Sequence, residues 1–287
     1  MFLGYIAYRF GRVRSTDEAG TRALKGAVFW IAIMIALTAC SGAQAQLDRS
    51  PDEVQKRADV QRHAVVISID GVPADYLWNE EVPLPTTRNL AKEGVWAEAM
   101  VPSTPTKTWT NHTTLATGVH PATHRMFTNG LFTEVKGRRV VENGGSAMVF
   151  ATEQAEAGDL ERARSILKAA DGIARVIGPE DYARYDLPPP SEEPRVGDLF
   201  LDAAPGHAFG NTATGDYRTP LDEPIGKHGY SNKPSEMNTL FVASGSGIQS
   251  GATLDTIDIR SVAPTVARLL GLELDTAEGK VLESILE

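Results

Sequence analysis

The chain has 287 residues, 42% of them hydrophobic and 23% charged, which suits a globular protein with one sizeable core. Its formal net charge is -9 and its basic residues do not cluster, which argues against nucleic acid as a bulk polyanionic partner. A single cysteine, Cys40, excludes an internal disulfide framework.

Residues 1–45 read as a targeting segment. Arg22 and Lys25 precede an apolar run, Ala27 to Ala39, that is short for a bilayer span and suits a signal-peptide core. Leu37-Thr38-Ala39-Cys40 resembles a bacterial lipobox, in which the cysteine is lipidated, and Ala43-Gln44-Ala45 offers an ordinary A-x-A cleavage site. The expectation is an exported protein, either periplasmic or held at the membrane only through a lipid anchor on Cys40. The remaining residues, 46–287, then form a single domain.

Within that domain His63 to Ile69 is a continuous apolar run ending in Asp70-Gly71, the pattern of a buried parallel strand followed by a turn. Thr86 to Glu93 predicts a short helix closed by Gly94, and Val95 to Val101 a strand. A Pro/Thr-rich loop, Pro102 to Lys107, leads into a helix from Thr108 to Thr117 closed by Gly118. Further strands are predicted at Ala147–Ala151, Ile173–Ile177, Asp198–Ala203 and Thr239–Ala243, with helices at Asp159–Ala169 and Ile259–Leu270. Leu187 to Pro194 reads as a stiff surface loop. Strands alternating with helices indicate an α/β sandwich around a mostly parallel sheet.

Three residues along this path carry chemistry. Asp70 sits where the first strand ends, the edge at which open α/β sheets place ligands, and a carboxylate there suits a divalent metal. Thr108 opens a helix, where backbone N–H groups and the positive end of the dipole favour an alkoxide or a bound phosphoryl group. Asn129 presents an amide that could donate to a phosphoryl oxygen. Each alone has a plainer explanation: a turn-capping aspartate, an N-cap threonine and an Asn-Gly turn.

Together the segments Ile67-Ser68-Ile69-Asp70-Gly71, Pro105-Thr106-Lys107-Thr108-Trp109-Thr110-Asn111-His112, Ala116-Thr117-Gly118-Val119-His120-Pro121-Ala122-Thr123-His124 and Asn129 resemble the opening half of the type I phosphodiesterase/nucleotide pyrophosphatase family, within the alkaline phosphatase superfamily. The resemblance implies an alkaline-phosphatase-like fold and a two-zinc hydrolase of phosphodiester or pyrophosphate bonds in small phosphate esters. Thr108 would be the nucleophile, Asp70 a ligand of the zinc that activates it, and Asn129 the phosphoryl-oxygen donor. Trp109-Thr110 departs from the family's usual phenylalanine and proline. His112 and His124 match positions that look structural. Near the C-terminus Gly226-Lys227-His228-Gly229-Tyr230 resembles the late Gly-x-His-Gly-Tyr segment, whose histidine binds the other zinc.

The family's two middle ligand segments, an Asp-x-x-x-His and an Asp-His-Gly, have no counterpart between Asn129 and His228. This implies an internal deletion near 132–142, so that one zinc keeps Asp70 and Thr108 and the other only His228. Asp202 to His207 imitates the missing pair with spacing one residue too long. Severely reduced or absent turnover is expected, since phosphoryl transfer depends on its metals for electrostatic stabilisation. The alternative is a noncatalytic exported remnant that binds a phosphate ester. A sibling chemistry, monoester or sulfate-ester hydrolysis, is disfavoured by the Thr-Lys-Thr segment and His228.

Overall fold

A computed structural model describes residues 62–129, 140–210 and 216–287. The expected signal segment with Cys40, and residues 132–139 of the expected junction, lie outside them.

The first helix, α1 (Pro85–Glu93), begins with proline, whose missing N–H would have had no partner in the first turn. It delivers the chain through Gly94 into β1 (Val95–Val101). α2 (Thr108–Thr117) ends at Gly118, which adopts φ 73° and returns its N–H to the Thr114 carbonyl at 2.8 Å. The single-turn α3 (Pro121–His124) follows. β2 (Val140–Glu142) and β3 (Ser146–Val149) form a hairpin, and α4 (Asp159–Ala169) carries acids in its first turn and Lys168 in its last, matching the helix dipole. β4 (Ile173–Ile177), β5 (Leu199–Ala203), β6 (Thr239–Ala243), β7 (Ala252–Asp258) and α5 (Val262–Leu269) complete the regular structure.

The expected α/β class stands, but the strand pairing corrects the expectation of a mostly parallel sheet. Two sheets form among the described residues, in the orders β6-β1-β7 and β2-β3-β5-β4. Only the β1–β7 pairing is parallel. β2 and β3 are joined by Asn143-Gly144-Gly145 alone, a connection that only antiparallel strands can use.

A second correction concerns His63 to Ile69. No strand forms there, and Val65, Ile67 and Ile69 are 85%, 78% and 61% exposed. The apolar run expects pairing on both edges, yet none of the described strands lies alongside it. The segment touches β6 only after the turn, through the Pro73–Thr239 bridge and the bond from Leu240 N–H to the Val72 carbonyl.

Smaller differences have local causes. The predicted helix at Ile259 starts as a 3-10 turn (Ile259–Ser261) and becomes α5 at Val262, with Pro264 tolerated in the first turn. Leu187 and Glu193 are buried, so the proline-rich stretch packs against the body instead of standing off it. Leu187 belongs to a core with Phe127, Met148, Tyr182 and Phe200, each such buried side chain contributing roughly 1.5–3 kcal/mol. A second core around β1 gathers Ala97, Met100, Ile257, Ile259 and Val262.

Candidate functional site

Thr108 is the first residue of α2, after an extended Lys107 whose side chain makes no capping bond. Its hydroxyl donates to Asp70 Oδ2 at 2.7 Å. Asn129 closes the arrangement from the far side of the chain. Its Oδ1 accepts from the Trp109 N–H at 3.0 Å, and its Nδ2 stands 3.5 Å from Thr108 Oγ1. The asparagine therefore supplies the cap that Lys107 does not, satisfying one of the N–H groups a helix start leaves open. Because its oxygen is spent on that N–H, the amide's NH2 is turned toward the hydroxyl. The structure thus brings together the three residues that the opening motifs singled out; that Asn129 also caps α2 was not legible, since its Asn-Gly pair reads as a turn.

Although 63–69 is not a strand, Asp70 is tethered. Ser68 Oγ lies 3.0 Å from His112 Nε2, and His112 Nδ1 lies 2.8 Å from the Thr108 carbonyl. A proton on Nδ1 serves the carbonyl and leaves Nε2 to accept from Ser68. His112 is a hydrogen-bonding group, as its position suggested.

His228 arrives by a different route. Thr106 N–H donates to the Tyr230 carbonyl at 2.9 Å, and Gly229 N–H donates to Thr106 Oγ1 at 2.8 Å. Gly145 N–H donates to the His228 carbonyl at 2.9 Å. Two glycines permit this approach: a Cβ on Gly229, at φ 92°, would lie 1.8 Å from the Asn143 carbonyl oxygen, and one on Gly145 would lie 2.1 Å from the Tyr230 ring. Partial burial and then the Lys107 ammonium push the His228 pKa down, while Asp70 pulls it up. The charges of Lys107 and Asp70 are thus felt at His228, and the imidazole is biased toward the neutral form that can ligate a metal.

Asp202 and His207 do not form a site. Asp202 is fully buried, and its carboxylate accepts from Arg175 Nη1 at 2.7 Å, from Ser231 N–H at 2.9 Å and from Ser231 Oγ at 2.7 Å. His207 is turned to the Pro205 carbonyl, and its own carbonyl accepts from the Tyr230 hydroxyl. Both residues anchor the segment that carries His228. At the opposite end of α2, His120 faces Asp186 at 3.2 Å and Glu278 at 3.6 Å, with Arg260 beside them. Among the described residues no three His, Cys, Asp or Glu side chains gather around one point suited to a metal ion.

Residues 64–157 match the family described as type I phosphodiesterase / nucleotide pyrophosphatase. An uncharacterized pyrophosphatase/phosphodiesterase of Schizosaccharomyces pombe is 36% identical over 83 residues, covering 29% of this chain and 17% of the relative. A bis(5'-adenosyl)-triphosphatase of Xenopus laevis is 30% identical over 107 residues, covering 37% of this chain and 21% of the relative. The chain thus spans about a fifth of those relatives' length. Among solved structures, murine ectonucleotide pyrophosphatase / phosphodiesterase 5 in complex with AMP superposes with a TM-score of 0.60 at 13% identity, covering 79% of this chain and 100% of that chain. The human counterpart gives 0.61 at 13% identity, with 77% and 98% covered. At that identity the likeness is one of fold.

Proposed function

We propose, taking the chain's membership of the type I phosphodiesterase / nucleotide pyrophosphatase family as the premise, that it is a slow hydrolase of phosphodiester or pyrophosphate bonds in small phosphate esters, with Thr108 as nucleophile. The observation that carries this reading is the convergence of Asp70, Thr108 and Asn129 at the start of α2.

Asp70 accepts the hydroxyl proton as Thr108 Oγ1 bonds to phosphorus, and the ester oxygen leaves with the bonding pair and takes a proton from water. The Asn129 NH2 donates to a non-bridging oxygen where charge builds, and the α2 N-terminus adds its dipole. Water then cleaves the phosphothreonine ester and restores the hydroxyl.

Zinc, as the metal such a site would take, would lower the hydroxyl's pKa and neutralise charge on the phosphoryl oxygens. Asp70 and Thr108 would hold one ion through two oxygens, and His228 another through its imidazole. That donor set fits a loosely held cation and falls short of the three or four protein ligands a firm zinc site uses. No Asp-His pair stands between Asn129 and His228 to complete it, a reading that a deletion near 132–142 explains. Weak metal retention and slow turnover follow.

We further propose that the protein is exported, on the strength of the apolar run 27–39, Cys40 and Ala43-Gln44-Ala45. A labelled-lipid incorporation assay on a Cys40→Ala variant separates lipid anchoring from simple cleavage.

The test of the catalytic reading is hydrolysis of bis-(p-nitrophenyl) phosphate by the full chain with added zinc, beside Thr108→Ala. A zinc-requiring rate that vanishes in the variant supports it.

A further inference from the structure

Asn129 lies at the end of an irregular passage, Arg125 to Asn129, that leaves α3 and turns back toward the start of α2. Arg125 is held by its N–H to the Pro121 carbonyl at 2.8 Å and by its guanidinium to the Glu193 carboxylate at 3.2 Å. Phe127 enters the core beside Met148 and Phe200 and fixes its depth. A further anchor is His124, the last residue of α3. Its Nδ1 accepts from the Met126 N–H at 3.1 Å, and its Nε2 lies 2.9 Å from Thr114 Oγ1 on α2. With Nδ1 accepting, Nε2 carries the proton and donates to Thr114, whose hydroxyl in turn donates to the Thr110 carbonyl at 3.1 Å. Arg125, between the two bonded residues, stands at φ 62°, a left-handed conformation that a residue with a side chain keeps only when its surroundings hold it.

We infer that His124 is a positioning residue for Asn129, acting through the Met126 N–H to Nδ1 bond that sets the turn, and less through its bond to Thr114. The inference rests on the reading of Asn129 as phosphoryl-oxygen donor. Without an acceptor at Nδ1 the Met126 N–H turns to water and the Met126 peptide reorients, while Arg125 stays tied to Pro121 and Glu193. The movement is passed to Asn129, whose contact to Thr108 at 3.5 Å is at the limit of a hydrogen bond and fails before the 3.0 Å bond to Trp109. His124 thereby shapes the site without touching the reacting atoms.

Two variants separate its two bonds. His124→Asn keeps an oxygen near the Nδ1 position and drops the Thr114 bond; His124→Gln reaches the Nε2 position and drops the Met126 bond. Two readouts are used on the full chain. The first is the side-chain amide signal of Asn129 in 15N-edited NMR, assigned with Asn129→Asp. The second is kcat and KM on bis-(p-nitrophenyl) phosphate with zinc. His124→Asn should leave the Asn129 signal in place and kcat nearly unchanged. His124→Gln should move that signal to the position of a solvated amide and lower kcat by at least about tenfold, with KM little altered, as loss of an oxyanion donor does.

An unmoved Asn129 signal in His124→Gln, or equal displacement in both variants, overturns the inference. Because the NMR readout needs no turnover, a protein without measurable hydrolysis defeats the proposed function while still deciding the positioning role. The wild-type chain provides a test that no folding failure can obscure: long-range 1H–15N correlation must show the Nε2–H tautomer of His124, and an Nδ1–H tautomer would refute the bond on which the inference stands.

Discussion

Thr108 donates its hydroxyl proton to Asp70 over 2.7 Å, across 38 positions of sequence. The carboxylate has two roles in this contact, accepting the hydrogen bond and receiving the proton. Asp70→Asn keeps an oxygen that accepts the hydrogen bond but removes the carboxylate that takes the proton and would help hold a metal ion. The variant should melt within about 0.5 kcal/mol of the parent, as exposed substitutions usually do, and lose roughly a hundredfold or more in rate, the lower range for general-base loss. Thermal melts and bis-(p-nitrophenyl) phosphate hydrolysis measure the two separately.

The segment bearing His228 depends on bare backbone at Gly229. An alanine there meets the Asn143 carbonyl oxygen at 1.8 Å and is held at φ 92°. Gly229→Ala should cost about 1–3 kcal/mol from the backbone conformation alone, plus the collision. Gly226→Ala, where the added carbon meets nothing within 4 Å, is the control and should stay within about 0.5 kcal/mol. Urea midpoints at neutral pH distinguish the two.

Burial lowers the His124 pKa from 6.5 to about 4. The sign of the consequence is fixed by linkage: between those values the unfolded chain binds the proton and the folded chain does not. His124 therefore favours unfolding progressively as pH falls from 6.5 toward 4, and has no effect above the upper value. The His228 pKa is shifted in the same direction and adds to the slope. Urea unfolding at steps from pH 7 to pH 4 should show stability falling with acid, and His124→Gln should flatten part of that fall.

Asp202 tests whether the fully bonded carboxylate is structural. Asp202→Asn leaves Arg175 and the two Ser231 donors facing a neutral amide. A loss of about 1–3 kcal/mol, the range for leaving buried hydrogen-bonding groups ill-matched, is expected by chemical denaturation. Zinc binding, followed by calorimetry under conditions where both proteins are folded, should be unchanged.

Much of the local structure was legible because it is written locally. The boundary of α2 at Gly118 and the strands at Val95, Ile173 and Thr239 follow from turn glycines and short β-branched runs. His63 to Ile69 failed because a strand exists only with partners, and partner edges are not encoded in the run itself. Pairing direction was misjudged for the same reason: it is set by which distant segments meet. β7 was missed because threonine and aspartate dilute its apolar alternation. At the site, the resemblance of the ordered motifs to a known family singled out Asp70, Thr108, Asn129 and His228, each of which alone has a plainer reading. The capping bond of Asn129 and the close approach at Gly145 and Gly229 are tertiary facts with no local signature.

The most direct measurement is hydrolysis of bis-(p-nitrophenyl) phosphate by the full chain and its Thr108→Ala variant, before and after exhaustive buffer exchange and with zinc restored. A slow rate that fades on buffer exchange, returns with zinc and is absent from the variant is expected. Equal rates in two folded proteins would contradict Thr108 as nucleophile, and a fast rate that survives buffer exchange would contradict the loosely held metal.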